Sequence, residues 1–277
     1  MAVVSERQPQ ATGWGNRFSL AAARPTLKGL SLIMAILVLW QVASSLGWLS
    51  RVLLPAPLYV AETIAYLIQS GELFGHVSAS ALRVVQGYAI AAVLALALGI
   101  AMGLFRTLTS LIDLLIQILK PVPPIAWIPL AILWFGIGEE SKIFIIFLGA
   151  FFPILVSTVD AIRQTDRRYV ELAKALQLPR RLFILRIMLP GALPQIMSGL
   201  RLGLALAWMC VVAAELIAAS QGIGFLIMDG RAVSQADLVL AGMLTLGILG
   251  KLTDDALRIV ERRFTRWRPD FKGLGVQ

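Results

Sequence analysis

The chain has 277 residues, of which 58% are hydrophobic and 15% are charged, and its mean hydropathy is +0.81. Soluble domains are typically about half apolar and about a quarter charged. This composition excludes an ordinary soluble domain, and the long uncharged runs indicate an integral membrane protein. The single cysteine, Cys210, excludes an intrachain disulfide.

Six apolar runs predict membrane spans at about 30–46, 86–105, 112–135, 143–160, 196–218 and 237–257. Most of them have close to the roughly 20 residues needed to cross the hydrocarbon core, and the first is at the lower limit. Only helices fit runs of this length, because every backbone polar group in lipid needs an internal partner. The sequence therefore predicts an all-α polytopic membrane protein with six transmembrane helices.

The chain has a net charge of +9, and its lysines and arginines are concentrated in alternate connections between the predicted spans. The N-terminal segment, the 106–111 link, the 161–190 loop and the C-terminal tail together hold 18 lysines and arginines, whereas the alternate connections hold four. Such an asymmetry predicts that both termini are cytoplasmic. The excess of positive charge is therefore better explained by membrane topology than by a nucleic-acid partner.

The chain divides into an N-terminal arm (1–29), a transmembrane domain (30–257) and a C-terminal tail (258–277). The arm lacks a small-residue cleavage site, so we expect the first apolar run to be a retained helix. Between the first two runs, an amphipathic helix is predicted after the Pro55 and Pro57 turn, ending near Gly71. Residues 74–85 are expected to lead as a helix into the second span. Residues 219–236 form an outer loop that either touches a binding protein or is a plain connector.

The third run is interrupted by prolines. Four of them, Pro121, Pro123, Pro124 and Pro129, stand within nine residues, which a regular helix cannot accommodate. Irregular backbone at membrane depth is tolerated only where protein or a water-filled cavity satisfies it. The run therefore predicts a broken helix that lines the transport path.

Ionisable groups within spans are costly and are candidates for function. Lys120 directly precedes the proline cluster, Arg201 lies in the fifth span, and Glu215 lies toward the outer end of that span. Lys120 and Arg201 could partly neutralise an anion on the path, but each could instead pair with a carboxylate. Glu215 is interpreted as part of an outer gate or as a structural partner.

Aromatic and small residues add weaker signals. Trp127 and Trp208 either line the cavity or pack in the core of the bundle. Two pairs, Gly99 with Gly103 and Gly199 with Gly203, permit close helix crossing.

No catalytic constellation or metal site is predicted from the sequence. A phosphate-binding loop is not recognisable, and His76 is the only histidine. We therefore expect any energy source for transport to be another subunit or an ion gradient.

The segment 170–194, VELAKALQLPRRLFILRIMLPGALP, is basic and helix-prone and lies between two apolar runs. It resembles the cytoplasmic loop of ABC importer permeases that carries the EAA motif, E-A-A-x-x-x-G followed by an apolar-rich I-x-L-P. Here Glu171, Leu172 and Ala173 match the opening, with leucine for one alanine, and Pro190 closes the match. Gln177 stands where the family usually has glycine, so we expect the turn to be made elsewhere, at Pro179.

The resemblance implies that a short helix around 168–178 sits in a groove on an ATPase subunit. An amphipathic helix with Ala173, Ala175 and Leu176 among charged residues can bury one face in such a groove. The alternative is a solvated basic loop that only sets topology.

The resemblance extends over about 30–271, through WQVASSLGWLS (40–50), IPLAILWFGIG (128–138), SKIFIIFLGAFFPI (141–154) and the tail LGKLTDDALRIVERRFTRWRPDF. These stretches are similar to permeases for sulfonate, taurine and nitrate, and most similar to those for aliphatic sulfonates. The resemblance implies a bacterial inner-membrane homodimer with two cytoplasmic ATPase subunits and a periplasmic or lipid-anchored binding protein. ATP and magnesium would bind to the ATPase, and no cofactor to this chain. A gradient-driven carrier, the alternative class, should show intramembrane carboxylates and an inverted repeat.

Overall fold

The computed structural model describes residues 24–265 except 49, 51 and 52, and every regular element in this part of the chain is helical. The elements are α1 (Arg24–Ser45), α2 (Pro57–Gln69), α3 (Glu72–Leu104), α4 (Arg106–Leu119), α5 (Ile128–Phe135), α6 (Glu139–Arg163), α7 (Arg167–Ala175), α8 (Arg180–Phe183), α9 (Leu189–Ala218), α10 (Ile223–Ala232) and α11 (Ala236–Phe264). A 3₁₀ turn (Pro124–Trp127) precedes α5, and a single π turn (Ile184–Met188) joins α8 to α9. The all-α fold class is thus confirmed.

Four helices are long and apolar enough to cross a membrane: Glu72–Leu104, Glu139–Arg163, Arg180–Ile217 and Ala236–Phe264. The helix pair α4 and α5 supplies a fifth span if it is counted as one. The apolar part of α1, Ser31–Ser45, is shorter than the roughly 20 residues of a typical span. The prediction of six spans therefore depends on this short first helix.

The predicted break in the third span is confirmed. Helix α4 ends at Leu119, and the chain then turns through the prolines into α5, whose axis makes an angle of 89° with that of α4. Pro129 stands in the first turn of α5, where its missing N–H costs nothing. The other prolines lie between the helices, because inside a helix each would remove a hydrogen bond and clash with the preceding turn.

Helix α6 is the centre of the bundle and packs between α3 and α9. Both predicted glycine pairs lie at these crossings. A Cβ added at Gly199 would come within 2.3 Å of the Ser157 Cβ, and one added at Gly99 within 2.8 Å of the Thr158 Cβ. Glycine is thus required for the close approach of helices that have buried isoleucine, leucine and alanine between them.

The outer segments are more helical than predicted. The predicted amphipathic helix is α2, and Gly71 follows it with φ +80°. The expected lead-in helix is the first part of α3, which begins at Glu72. The outer loop 219–236 contains α10, a helix that the sequence did not predict. The arm up to residue 23 and the tail from residue 266 lie outside the described residues, whereas α11 continues seven residues past the predicted domain boundary at 257.

Candidate functional site

A cavity of about 460 Å³ lies beside the proline turn, against the middle of α6 and of α9. Of the predicted path residues, Lys120, Pro123, Pro124 and Trp127 line it, whereas Pro121, Arg201 and Trp208 do not. Among the other lining residues are Leu148, Phe152, Val156, Ser157, Leu202, Leu206, Met209 and Cys210. The broken helix thus does border a cavity, as its proline content predicts.

The walls of this cavity are mainly apolar, and Lys120 is its charged group. Lys120 follows the last residue of α4, is exposed, and donates its backbone N–H to the Ile116 carbonyl. None of the ion pairs among the described residues involves Lys120. The Lys120 ammonium is therefore not neutralised by a carboxylate within the part of the chain that the structure describes.

Arg201 and Trp208 face α11. The Arg201 guanidinium donates to both carboxylate oxygens of Asp254, at 2.8 and 3.2 Å, and its Nη1 lies 3.5 Å from Glu261. The indole N–H of Trp208 donates to the Thr253 hydroxyl at 2.9 Å. These contacts support the alternative in which Arg201 has a carboxylate partner, and they join the last two spanning helices.

Glu215 is 1% exposed and is the acceptor at the centre of a buried polar cluster. It accepts hydrogen bonds from the Ser80 hydroxyl at 2.7 Å and from Arg83 Nη1 at 2.7 Å. Arg83 also donates to Glu139 at 2.8 Å and to the Gln221 carbonyl at 2.6 Å. The cluster ties α3, α6, α9 and α10 together at the end of the bundle where α6 begins.

The same carboxylate caps α10. The Gly224 N–H, in the first turn of that helix, donates to Glu215 at 2.8 Å, and the Ile223 N–H donates to Ser80 at 2.8 Å. A negative charge at a helix N-terminus is favourable because the helix dipole is positive there. Gly222 has φ +139°, and a Cβ on it would lie 2.4 Å from the Glu215 carboxyl carbon, so this position requires glycine.

Sequence reasoning recognised Glu215 but missed its partners. Arg83 was counted only as an outer charge, and Ser80 and Glu139 were not singled out. Ser80 and Arg83 are three residues apart, which places them on one face of α3. That spacing, together with a buried acid on another span, is the one signal that could have suggested the cluster.

Helix α7 lies in the loop that resembles the EAA segment. Asp166 caps its start by accepting from the Arg168 N–H at 2.9 Å. Ala173 is buried, whereas Tyr169, Leu172 and Leu176 are 54%, 53% and 61% exposed. Because these three are spaced for one side of a helix, they form an exposed apolar stripe, and Tyr169 is the member that the sequence analysis missed.

Glu171 and Ala175 are also exposed on α7. Of the three apolar residues expected to bury one face in a groove, Ala175 and Leu176 face outward, whereas Ala173 is turned toward the protein. An exposed apolar stripe rimmed by charged residues is typical of a protein-interaction surface.

The turn after α7 is made at Gln177, so the expectation that it would move to Pro179 was wrong. Gln177 has φ +50°, the left-handed conformation that the usual glycine adopts readily. The Leu178 N–H donates to the Ala173 carbonyl at 2.9 Å and the Gln177 N–H to the Lys174 carbonyl at 3.1 Å. This is the Schellman pattern, so the glutamine itself makes the turn, at the cost of backbone strain.

Pro190 is the second residue of the long helix α9 and lines a groove of about 520 Å³ together with Tyr169 and Arg186. A proline has no N–H to continue the helical ladder. The π turn Ile184–Met188 lies directly before it and lets α8 run on into α9. Helix α7 is thus separated only by the turn at Gln177 from the helical segment that begins at Arg180 and runs on into the span.

Taken together, a bundle of long apolar helices, a broken helix beside a mid-depth cavity and an exposed amphipathic helix between two spans define a multi-span membrane transport protein. Residues 88–266 match the family model of binding-protein-dependent transport system inner membrane components. The chain belongs to this family, and it is the transmembrane permease component of an ABC importer.

Similar proteins agree with this assignment. The aliphatic sulfonates transport permease protein SsuC of Bacillus subtilis is 42% identical over 89% of this chain and 90% of its own length. The taurine transport system permease protein TauC of Escherichia coli is 34% identical over 88% of this chain and 91% of its own. A chain in inward-facing structures of the MetNI methionine ABC transporter has the same fold, with a TM-score of 0.53 and 18% identity over 68% of this chain and 97% of its own.

Proposed function

We propose that this permease takes up aliphatic sulfonates, driven by ATP hydrolysis on separate ATPase subunits. The main support for this proposal is the 42% identity to an aliphatic sulfonates permease along nearly the whole of both chains, compared with 34% identity to the taurine permease. Two copies of the chain would enclose the path between them. A binding protein would deliver the sulfonate, and ATP with magnesium would bind only to the ATPase.

The 161–190 loop is the proposed coupling element. Its helix α7 presents Tyr169, Leu172 and Leu176 outward, and these side chains can enter a groove on the ATPase. When ATP draws two ATPase subunits together, α7 would move with them. The Schellman turn at Gln177 and the π turn before Pro190 would pass this movement to α9, which borders the cavity.

The orientation of the proposed mechanism follows from the charge asymmetry. With both termini cytoplasmic, α7 lies on the ATPase side and the Glu215 cluster on the outer side. The cluster would hold α10 in position beneath a docked binding protein. Lys120, beside the cavity in the middle of the spans, would attract the anion between the two sides.

One alternative substrate is taurine, which the name of the 34% identical relative gives for that protein. Nitrate or another small oxyanion is a further alternative, based on the resemblance of the sequence. A gradient-driven carrier is disfavoured by a specific contact. Such a carrier needs an intramembrane carboxylate for cation coupling, but the Glu215 carboxylate already accepts hydrogen bonds from Ser80, Arg83 and Gly224.

The test is the ATPase rate of the reconstituted permease–ATPase complex with its binding protein in liposomes. Hexanesulfonate, taurine and nitrate are compared at saturating concentration. We expect strong stimulation by hexanesulfonate alone. Stimulation by taurine or nitrate alone would refute the sulfonate assignment. Failure of the permease to form a stable complex with any ATPase subunit would refute the mechanism.

A further inference from the structure

We propose that the cavity beside the proline turn is a substrate subsite of the permease itself. In this subsite the walls from α6 and α9 hold the alkyl tail of an alkanesulfonate, and Lys120 pairs with its sulfonate group. The inference rests on the proposed sulfonate function and adds to it that the permease, and not only the binding protein, selects by tail length.

The first argument is size and position. A volume of about 460 Å³ is within the range of roughly 300–1,000 Å³ found for small-molecule pockets. The lining residues of α6 run from Leu148 to Ser157 and those of α9 from Leu202 to Cys210, which are the middle parts of both helices. The cavity therefore lies near the middle of the spans, at the depth where an anion crossing the membrane meets the highest cost.

The second argument is the match of chemistry. An alkanesulfonate is an apolar tail with one fixed negative charge. The cavity offers the complementary surface, with Phe152, Val156 and Leu206 on its walls and Lys120 as its cation. Among the described residues, the ion pairs leave this lysine without a carboxylate, so a bound anion would not have to displace a protein group.

The same chemistry argues against other occupants. The ammonium group of taurine would have to leave water for apolar walls, which is unfavourable without a hydrogen-bonding partner. Nitrate has no tail to fill the cavity. A lipid could insert an acyl chain, but its anionic headgroup remains at the membrane surface, far from a lysine at the middle of the bundle.

The test is the dependence of transport on chain length. Substrate-stimulated ATPase activity is measured with ethane-, butane-, hexane- and octanesulfonate, using one binding protein throughout so that its own selectivity cancels. Val156→Phe narrows the cavity, and Val93→Phe is the matched control, because Val93 is on α3 and is 66% exposed. Met209→Trp is a second narrowing variant, at a lining residue that is 67% exposed and is therefore expected to accept a larger side chain without loss of folding.

Each methylene buried in an apolar site changes affinity about fourfold. If Val156→Phe excludes two methylenes, the ratio of kcat/KM for octanesulfonate to that for ethanesulfonate should fall about 15-fold relative to wild type. Val93→Phe should leave this ratio unchanged. Lys120→Gln should lower kcat/KM about tenfold at every chain length, because it removes a charged partner, whereas Lys120→Arg should restore most of it.

The inference is overturned if Val156→Phe and Met209→Trp assemble normally and leave the chain-length ratio within twofold of wild type. It is also overturned if both variants lower kcat/KM by the same factor for all four alkanesulfonates. That result would indicate a blocked path, or a cavity filled by lipid or by the second copy of the chain. If Val156→Phe does not assemble with the ATPase subunits, the chain-length ratio of Met209→Trp alone tests the proposal. A wild-type complex that no alkanesulfonate stimulates would instead refute the proposed function.

Discussion

The buried cluster around Glu215 yields a sharp test of how the outer end of the bundle is held. In Glu215→Gln the side chain keeps its shape, but one carboxylate oxygen becomes an NH₂ group. The two oxygens now accept from Arg83 and Ser80 on one side and from Gly224 on the other. In one orientation of the amide its NH₂ group would face the Arg83 guanidinium, and in the other it would face the Gly224 N–H, so in both a buried donor would face another donor.

The expected loss can be worked out from these contacts. An orphaned buried donor costs about 1–3 kcal/mol, and breaking a buried ion pair costs about 3–5 kcal/mol. Arg83 keeps its bonds to Glu139 and to the Gln221 carbonyl, so the ion-pair loss is only partial. We expect the free energy of unfolding to fall by roughly 2–4 kcal/mol in Glu215→Gln.

Thermal unfolding of the purified permease in nanodiscs measures this loss. A change of 1 kcal/mol shifts Tm by roughly 2–4 °C for chains of about this size, so a fall of about 4–16 °C is expected. Glu62→Gln is the control, because Glu62 is exposed on α2 and its substitution should change stability by less than about 0.5 kcal/mol. If Glu215→Gln unfolds within 1–2 °C of wild type, roughly the shift for 0.5 kcal/mol, the cluster does not stabilise the fold.

Three further changes follow from the coupling loop and the helix crossings. Gln177→Gly should relieve about 1 kcal/mol of left-handed strain and slow amide exchange in 167–178; faster exchange would contradict the turn. Gly199→Ala should destabilise by about 1–3 kcal/mol in thermal unfolding, since its Cβ would lie 2.3 Å from that of Ser157, whereas Gly191→Ala, with nothing within 4 Å, should not. Glu171→Arg should co-purify poorly with the ATPase, and normal co-purification and uptake would argue against docking.

Much of the fold could be predicted because its signals are local. The apolar runs of the four longest spans identify them without knowledge of their neighbours. The break between α4 and α5 is predicted by the close run of prolines around Pro123, which a regular helix cannot accommodate. The glycine pairs also indicate close crossings, because only glycine allows backbones to approach so closely.

The side-chain partners could not be predicted, because they join distant parts of the chain. Arg83 and Glu215 are 132 residues apart, and Arg201 and Asp254 are 53 apart. Which charge meets which depends on how the helices rotate about their axes, and hydropathy alone does not determine that rotation. Glu215 could therefore be recognised as costly in a span, but its cap on α10 could not be foreseen.

The coupling loop shows the same limit at short range. The resemblance located the helix, yet the direction of its faces depends on how Ala173 packs against the protein. Gln177 was misjudged for a different reason. Glycine is preferred in the left-handed region, but the Schellman hydrogen bonds from Leu178 and Gln177 hold a non-glycine residue there.

The central claim is that this permease couples ATP hydrolysis to transport through the exposed stripe of α7. The most direct test is substrate-stimulated ATPase activity of the wild-type complex and of Leu172→Asp, with Val233→Asp as the control. Both leucine and valine are exposed, at 53% and 55%, but Val233 directly follows α10, on the opposite side of the bundle from α7 by the predicted topology.

We expect Leu172→Asp to lose the ATPase subunit or its stimulation while the permease itself unfolds at the wild-type temperature, and Val233→Asp to assemble and respond as wild type. Full assembly and full stimulation in Leu172→Asp would contradict the claim.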